Sequence, residues 1–453
     1  MQSELKKKYG LITAIAMVVG IVIGSGVFFK AEAVLKATGG NMPLGIAAWA
    51  IVGLIMIICS FSFATLATKY EKVNGIVDYS EMTVGKGYAY YIGWFMAVIY
   101  NPTLTSVLAW VSARYLCVLL GWDITGGNCM VIAAFFLIAS YVMNALSPIL
   151  AGKFQVTTTV IKLVPLLLMA VVGTIVGLAN GMTVENFSKA AVEGTSAGGG
   201  LLASVVAVAF AYEGWIIATS INAELRDAKK NLPIALTVGA LIVVFIYIFY
   251  YIGLAGAVPT ETLMESGQNG AKVAFMNIFG NVWGTLIFVF VIISCLGTLN
   301  GLMMGNCRGM YALAVRGQGP APKMFSQVDK STNMATNSSL LGILLAGFWL
   351  MYFYGANLTD PWFGPFCFDT SELPIITLYA AYIPVFVCFM IKEKEMGVFR
   401  RFVMPILSIL SCVFMVYAAI VAHRMAVVYY LIIFVVIMLI AIPFRKPKEI
   451  KAK

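Results

Sequence analysis

Long apolar stretches alternate with short polar segments along almost the whole chain. About 20 helical residues are needed to cross the hydrocarbon core of a bilayer, and inside that core every backbone N–H and C=O group has to be paired. Twelve stretches are long enough to form such helices. They cover residues 10–36, 43–68, 88–118, 129–147, 153–178, 199–225, 232–256, 281–315, 338–355, 367–391, 400–422 and 425–443. The pattern predicts an all-α polytopic membrane protein with twelve transmembrane helices, in which residues 1–453 form a single domain.

Composition agrees with this prediction and excludes several classes of protein. Hydrophobic residues make up 61% of the chain and charged residues 11%, which is outside the range of soluble domains. The closest cysteines are 12 positions apart, His423 is the single histidine, and no GxxxxGK[ST] motif occurs, so the sequence lacks common redox, metal and nucleotide motifs. We expect no catalytic residues, no metal and no cofactor. The basic residues Lys6–Lys8 precede a span too long for a signal peptide, so no cleaved leader is expected.

The distribution of charge predicts the orientation of the chain. With both termini in the cytoplasm, 23 of the 30 Lys and Arg residues fall on the cytoplasmic side and five, including Lys30, on the outer side. Arg114 and Lys162 lie within spans. Because this bias follows the positive-inside rule, we expect a multi-pass protein of the cell membrane with both termini cytoplasmic. The net charge of +10 then reports topology, and no nucleic-acid partner is expected.

Glycine-containing segments interrupt the first and sixth spans, at Gly24-Ser25-Gly26 and at Tyr212-Glu213-Gly214. An unwound turn in hydrocarbon is costly unless it lines a cavity, and two such breaks in corresponding spans indicate the binding site of a transporter. Spans 1–5 and spans 6–10 each cross the membrane an odd number of times, so a repeat of one by the other has to be inverted. We predict inverted repeats over 10–178 and 199–391, followed by two additional helices over 400–443.

The two breaks predict complementary halves of one binding site. Unwinding at Gly24–Gly26 exposes the N–H groups of Ser25, Gly26 and Val27 at the positive end of a helix, which suits a carboxylate. Alternatively, Gly20 and Gly24 form a GxxxG packing face. In span 6, the carbonyl groups of a helix end at Phe210-Ala211-Tyr212 suit an ammonium group. The pair of sites fits a zwitterionic α-amino acid.

Two ionisable residues within spans are further candidates, because such residues are usually functional. Glu213 either attracts a cationic substrate side chain or accepts N–H bonds that hold the break in shape. Lys162 lies nine residues beyond Lys153, about 14 Å along the helix, which is too deep for its ammonium to reach the interface. It is either a fixed positive charge at a position that could hold a sodium ion, or the wall of a water-filled vestibule.

Four more residues are candidates for lining the pocket: Tyr100, Asn101, Trp215 and Asn300. For Tyr100 and Trp215, the alternative role is packing between helices. Asn101 precedes Pro102, which predicts a kink in span 3. Asn300 belongs to the small-residue segment 294–301 of span 8, where it could form a hydrogen bond across helices.

Taken together, four segments resemble a known family. They are Gly24-Ser25-Gly26-Val27-Phe28, Phe210-Ala211-Tyr212-Glu213-Gly214-Trp215, Lys162-Leu163 and Ser294-Cys295-Leu296-Gly297. In this order they resemble the amino acid–polyamine–organocation (APC) superfamily, and within it the L-type amino acid transporters and their bacterial relatives. The resemblance covers essentially the whole chain. It implies a five-plus-five inverted-repeat fold and sodium-independent amino acid transport, often by exchange.

The resemblance also implies roles for individual residues. Gly24 to Val27 would bind the substrate carboxylate, and the carbonyl groups around Phe210 and Ala211 its amine. Phe210 corresponds to the aromatic gate over the substrate, and Lys162 to the lysine that takes the place of sodium. Relatives have glycine, serine or an acid at the position of Glu213, the acid in some members that also accept cationic amino acids.

A partner subunit is the last feature on which the resemblance bears. Family members that pair with an accessory glycoprotein carry a cysteine in the outer loop between spans 3 and 4. Cys129 lies near that position, but one nearby cysteine is weak support, and we expect no such subunit.

These features lead us to expect a secondary amino acid transporter that works by alternating access, with spans 1, 2, 6 and 7 moving against the rest. Neutral amino acids are the favoured substrates. The alternatives on the same fold are a proton-coupled symporter, with Glu213 or Lys162 titrating, and a transporter of cationic amino acids or polyamines. Proteins of three other classes would carry different features. A channel would need a filter sequence or repeated pore-lining charges. A ligand sensor would need an output domain, and a membrane enzyme would need clustered histidines or acids.

Overall fold

The structure, a computed structural model, describes residues 10–70, 75–189, 197–218, 225–329, 332 and 334–447. Within these ranges the chain is helical and contains no β-strand. Ten helices have the length and apolar composition to cross a membrane, a bent pair forms one more such span, and a shorter apolar helix precedes the second break. This agrees with the twelve predicted spans. Lys6–Lys8, which entered the orientation argument, lie outside the described residues.

The observed helices follow the predicted spans closely. In order, they are Leu11–Val22 with Gly26–Ala37, Met42–Lys69, Lys86–Leu120, Gly127–Leu146, Ile149–Ala179, Ala197–Tyr212 with Trp215–Ala218, Ala228–Ala257, Gly270–Ala314, Thr336–Asn357, Leu373–Lys392, Phe399–His423 and Met425–Phe444. Short helices lie in four of the connections, at Ile76–Thr83, Met182–Ser188, Thr260–Ser266 and Pro322–Phe325.

One predicted boundary was wrong for an identifiable reason. Span 10 begins at Leu373, not at 367, because the carboxylate of Asp369 accepts hydrogen bonds from the backbone N–H and the hydroxyl of Ser371, both at 2.6 Å, and holds the preceding residues in a turn. Span 8 was predicted to begin at 281. Gly280 has a non-helical φ of 76° at this point and separates the span from a preceding helix that starts at Gly270.

The irregularity predicted at Asn101-Pro102 takes the form of a π-helical turn over Met96–Tyr100. Proline lacks an N–H group and cannot continue the regular ladder, and a π-turn is one way for a helix to absorb the mismatch. A second π-turn, Met169–Gly173 in span 5, was not predicted. There a Cβ atom on Gly173 would lie 2.7 Å from the carbonyl oxygen of Gly253 in span 7, so small residues permit unusually close helix packing.

The chain divides into two compact units. Unit 1 comprises residues within 1–86, 163–288 and 376–422, and unit 2 comprises 87–162, 289–375 and 423–453. Spans 1, 2, 6, 7, 10 and 11 therefore belong to unit 1, whereas spans 3, 4, 9 and 12 belong to unit 2. Spans 5 and 8 each contribute to both. This division does not test the inverted repeats over 10–178 and 199–391, which stay a prediction.

Each unit has its own core. In unit 1 the indole of Trp49 packs edge to face on Tyr212 and Tyr247, with ring centroids 5.9 Å and 5.5 Å away. In unit 2 the hydroxyl of Tyr90 donates to the carbonyl of Ala441 at 2.7 Å. A buried tyrosine needs such a partner for its hydroxyl in addition to its apolar contacts. This hydrogen bond joins two helices that are distant in sequence.

Candidate substrate site

Span 1 is broken where the glycines predicted it. The first helix ends at Val22, the second begins at Gly26, and their axes differ by 52°. Ile23 is extended, with ψ at 110°, and Ser25 caps the second helix without a side-chain hydrogen bond to it. The non-helical residues are thus 23–25, one position earlier than predicted. Because first-turn N–H groups have no acceptor within their own helix, Gly26 and Val27 start the second helix at its positive end.

Span 6 is broken at Glu213 and Gly214, between the helices Ala197–Tyr212 and Trp215–Ala218. Gly214 has a φ of 103°, which side-chain-bearing residues rarely adopt. The last carbonyl groups of a helix lack intrahelical donors. The helix ending at Tyr212 therefore directs its last carbonyl groups toward this break, where that of Phe210 accepts from the N–H of Glu213 at 3.4 Å. Binding of an ammonium group by these carbonyl groups stays a prediction.

The two breaks are in direct contact. A Cβ atom placed on Gly26 would lie only 2.5 Å from the Cα atom of Ala211. A Cβ atom on Gly214 would lie 3.4 Å from the carbonyl oxygen of Ile21. Backbone therefore meets backbone at the crossing of spans 1 and 6, which requires glycine. The structure brings together the two segments that the sequence singled out, 24–27 and 210–214.

Tyr247 of span 7 joins both breaks and was missed by the sequence analysis. Its hydroxyl lies 3.2 Å from the carbonyl oxygen of Val22 and 3.0 Å from that of Ala211, and it donates its proton to this pair. The backbone N–H of Gly24 donates to the same hydroxyl. A signal was present, because a tyrosine deep in a span needs a hydrogen-bond partner for its hydroxyl.

The aromatic residues around the second break divide into two groups. Phe210 is buried and packs edge to face on Phe29 of span 1, with ring centroids 5.7 Å apart. Trp215 faces a different set of neighbours, Phe63 at 5.5 Å and Tyr382 at 5.7 Å. Trp215 is thus part of the aromatic core of unit 1, in line with the packing alternative.

Tyr212 and Glu213 lie side by side in the chain but in different environments. The hydroxyl of Tyr212 donates to the carbonyl of Trp49 at 3.0 Å and is fully buried. Glu213 is partly exposed, and its carboxylate interacts electrostatically with the hydroxyl groups of Tyr379 and Tyr382 in span 10. The acid at the break and these two tyrosines of span 10 are therefore close enough to interact.

Lys162 is 4% exposed and is the single turn residue within span 5, between its helical segments Pro148–Ile161 and Leu163–Leu168. Its backbone N–H donates to the carbonyl oxygen of Thr158 at 3.0 Å. Thr158 marks the contact with span 8, because a Cβ atom on Gly297 would lie 2.3 Å from its Oγ1. The segment 294–297 that carried the family resemblance therefore packs one helical turn from Lys162. The chain passes from unit 2 to unit 1 directly after this lysine.

Asn300 lies in the interior of unit 2 and uses its amide for hydrogen bonds across helices. It accepts from Asn144 at 2.8 Å and donates to the carbonyl of Ala151 at 3.1 Å and to the side chain of Gln155 at 2.9 Å. Its side chain is fully buried, so these contacts link span 8 to spans 4 and 5.

Tyr100 and Asn101 also belong to unit 2, whereas the residues of the two breaks belong to unit 1. Tyr100 is buried and packs on Phe95, with ring centroids 6.0 Å apart. Asn101 is partly exposed at the start of the helix after the π-turn. Among the described residues no group of three His, Cys, Asp or Glu side chains is arranged to hold a metal ion.

Comparison with known proteins decides the family. A family model described as "Amino acid permease" matches residues 9–442. The chain belongs to this family of amino acid permeases. It is therefore an amino acid transporter of the APC superfamily and not an enzyme, a channel or a sensor, as the sequence had predicted.

Individual relatives agree with this assignment. The permease is 29% identical over 429 residues to the serine/threonine exchanger SteT of Bacillus subtilis (strain 168), which covers 93% of both chains. It is 26% identical over 332 residues to the human cystine/glutamate transporter, covering 73% of this chain and 65% of that protein. It is 27% identical over 340 residues to the human large neutral amino acids transporter small subunit 2, covering 72% and 61% respectively.

Proposed function

We propose that this permease is a sodium-independent exchanger of neutral L-amino acids that works by alternating access in the cell membrane, with both termini cytoplasmic. The observation that carries the proposal is the contact between the two broken spans. At this crossing, the N–H groups at the start of Gly26–Ala37 bind the substrate carboxylate. The carbonyl oxygens at the end of Ala197–Tyr212 bind its ammonium group. Both groups are backbone, so the site recognises what all amino acids share.

Exchange is supported by the relatives. SteT, which matches the permease along 93% of both chains, is named a serine/threonine exchanger. Serine and threonine are neutral amino acids. Backbone groups suit the part that neutral amino acids share, because the two charges of the zwitterion are matched by helix ends of opposite sign.

Sodium independence is supported by Lys162. Its ammonium is buried beside the packing contact of spans 5 and 8, and a buried cation within a span has to be compensated by oxygen atoms. In a sodium-coupled protein of this fold, a sodium ion would stand at this position. The ammonium of Lys162 would take its place.

Alternating access is supported by the division of the chain. Spans 1, 2, 6 and 7, which we expect to move, all belong to unit 1. Tyr247 ties spans 1, 6 and 7 together through Val22, Gly24 and Ala211. These spans can therefore move as one body without breaking the site.

Counter-flow in proteoliposomes tests this proposal. Liposomes loaded with unlabelled serine, and others loaded with each further amino acid, are diluted into labelled serine, in sodium chloride or in choline chloride. We expect accumulation that requires an internal amino acid and is the same in both salts. A steep dependence on sodium, or uptake that needs no internal amino acid, would contradict the proposal.

A second candidate function, transport of cationic amino acids, is favoured by one observation. Glu213 is an acid at the span 6 break and is partly exposed as a residue. Such a group could attract the side chain of arginine or lysine. Counter-flow with arginine as the best exchanger would favour this candidate over the neutral one.

We further propose that the permease works without an accessory glycoprotein. Cys129 is fully buried, and its thiol lies within hydrogen-bonding distance of the thiol of Cys117. It is therefore not placed for a disulfide to another chain. Exchange by the purified permease alone, reconstituted under oxidising conditions, is the expected result.

A further inference from the structure

Lys30 is a buried cation close to the proposed substrate gate. It belongs to the second helix of span 1 and is 3% exposed. In the positive-inside rule, Lys30 counts only as one of the five positive charges on the outer side. A buried lysine in a span is costly, however, and calls for a functional explanation.

The ammonium of Lys30 contacts two aromatic rings. Its Nζ atom lies 4.9 Å from the ring centroid of Phe29 and 5.4 Å from that of Phe210. The two rings pack edge to face on each other. These are cation–π distances, so the positive charge is held directly against the gate residue.

The position of Lys30 along its helix directs this charge toward the crossing of the spans. Residues four apart lie on one face of a helix, and helical side chains lean toward the N-terminus of the helix. Lys30 is four residues after Gly26, so its long side chain extends back toward the end that carries the free N–H groups. The ammonium therefore lies beside the gate ring and is directed toward the positive end of its own helix.

We propose that Lys30 determines which substrate side chains pass the Phe210 gate, an inference that rests on the proposed function of the site. Its ammonium repels the side chains of arginine and lysine and attracts those of glutamate and aspartate, while neutral side chains pass unaffected. Buried charges interact more strongly than exposed ones because less water screens them. Substrate charge is then read at the gate by Lys30 and not by Glu213 alone.

The variant Lys30→Met tests this inference, because methionine keeps an unbranched apolar side chain and removes the charge. Lys36→Met is the matched control: it lies on the same helix, its side chain is 51% exposed, and its ammonium pairs with Glu32 at 2.8 Å. Counter-flow is measured with serine, glutamate and arginine as internal substrates. We expect Lys30→Met to raise the arginine-to-serine ratio by about tenfold and to lower the glutamate-to-serine ratio. Lys36→Met and Lys30→Arg should leave both ratios unchanged.

Two outcomes would overturn the inference. One is an unchanged set of ratios in a Lys30→Met protein that is folded, as judged by gel filtration and thermal unfolding in detergent. The other is an equal loss for all three substrates, which would mean that Lys30 binds the α-carboxylate or only supports the gate. If Lys30→Met does not fold, the unfolding temperature of the wild-type protein is measured with serine and with arginine. The inference requires that arginine raises this temperature less than serine does. A wild-type protein that exchanges no amino acid would instead refute the proposed function.

Discussion

Gly26 and Ala211 hold the two broken spans in backbone contact, since a Cβ atom on Gly26 would lie 2.5 Å from the Cα atom of Ala211. Real Cβ atoms do not approach other atoms so closely, and the obstacle is backbone, which cannot rotate away. Gly26 therefore serves the close packing of spans 1 and 6, and its part in a substrate cradle stays a prediction. The packing face of Gly20 and Gly24 is a separate alternative that this contact does not test.

We predict that Gly26→Ala abolishes exchange, because the added methyl group has to push the two breaks apart. Gly347→Ala is the control: Gly347 also lies in a membrane-spanning helix, and nothing lies within 4 Å of the methyl group it would gain. Counter-flow and surface abundance are measured for both. Wild-type affinity in Gly26→Ala would contradict the geometry. In the wild-type protein, amines that lack the carboxylate should compete poorly with serine.

Removing the hydroxyl group of Tyr247 tests the connection between the breaks. In Tyr247→Phe the carbonyl groups of Val22 and Ala211 lose their donor, and each buried group left unpaired costs about 1–3 kcal/mol. We expect a lower unfolding temperature and a higher KM for every amino acid alike. Tyr417→Phe, at a side chain that is exposed on span 11, should change neither quantity. An unaltered KM in Tyr247→Phe would show that the hydroxyl does not shape the site.

The role of Lys162 is tested by comparing its alanine variant with that of Lys153, a lysine of the same span. Lys162→Ala should lose most of its exchange activity, since the buried side chain that we propose to replace sodium is removed. Lys153→Ala, at an exposed position nine residues earlier, should retain activity. Labelled serine uptake is followed in sodium and in choline for all three proteins. Full activity of Lys162→Ala in choline would refute the role of this lysine as a substitute for sodium.

Glu213→Gln separates the two roles of Glu213, because glutamine keeps the volume and most of the hydrogen bonding but removes the charge. If the carboxylate recognises substrate charge, exchange of arginine should fall by about tenfold, or about 1.4 kcal/mol, with serine unaffected. If it holds the break in shape, all substrates should decline together. The electrostatic interaction of its carboxylate with Tyr379 and Tyr382 of span 10 leads us to expect the second result. A selective loss of arginine would contradict this expectation.

A polar cluster at the end of spans 2 and 10 predicts a pH dependence of stability. Glu393 pairs with Lys69 at 3.0 Å and accepts a hydrogen bond from Tyr70. Burial raises the pKa of this carboxyl, but the bonds from Tyr70 and Lys69 outweigh it and leave the pKa below its usual value. A depressed pKa stabilises the fold above the unfolded value of about 4.3, and this contribution is lost as the pH falls through the folded value.

The unfolding temperature in detergent, measured as a function of pH, checks the direction of this effect. Glu393→Gln should unfold at a lower temperature than the wild type by a constant amount between about pH 6 and pH 8, and the difference should shrink below about pH 4. Glu395→Gln is the control, since its side chain is 92% exposed and 3.9 Å from Lys69. A difference that grows as the pH falls would contradict the assignment.

The sequence by itself determined the membrane spans and the places where they break. A bilayer accepts only long apolar helices, so hydropathy alone locates the spans. The breaks are local properties of the chain, and Gly24, Gly26 and Gly214 therefore mark them in the sequence. The misplaced start of span 10 has a local cause that hydropathy does not register, the turn formed by Asp369 and Ser371.

Only the tertiary structure decided which residues meet at the breaks. Ala211 against Gly26, Tyr247 between Val22 and Ala211, and Lys30 on the ring of Phe210 are contacts between helices, and one-dimensional patterns carry no information about helix rotation or crossing. The same limit applies to Trp215, which packs into a core, and to Asn300, whose amide links three spans. Apolar periodicity cannot distinguish such residues from a pocket lining, because nearly every face of these helices is apolar toward either lipid or protein.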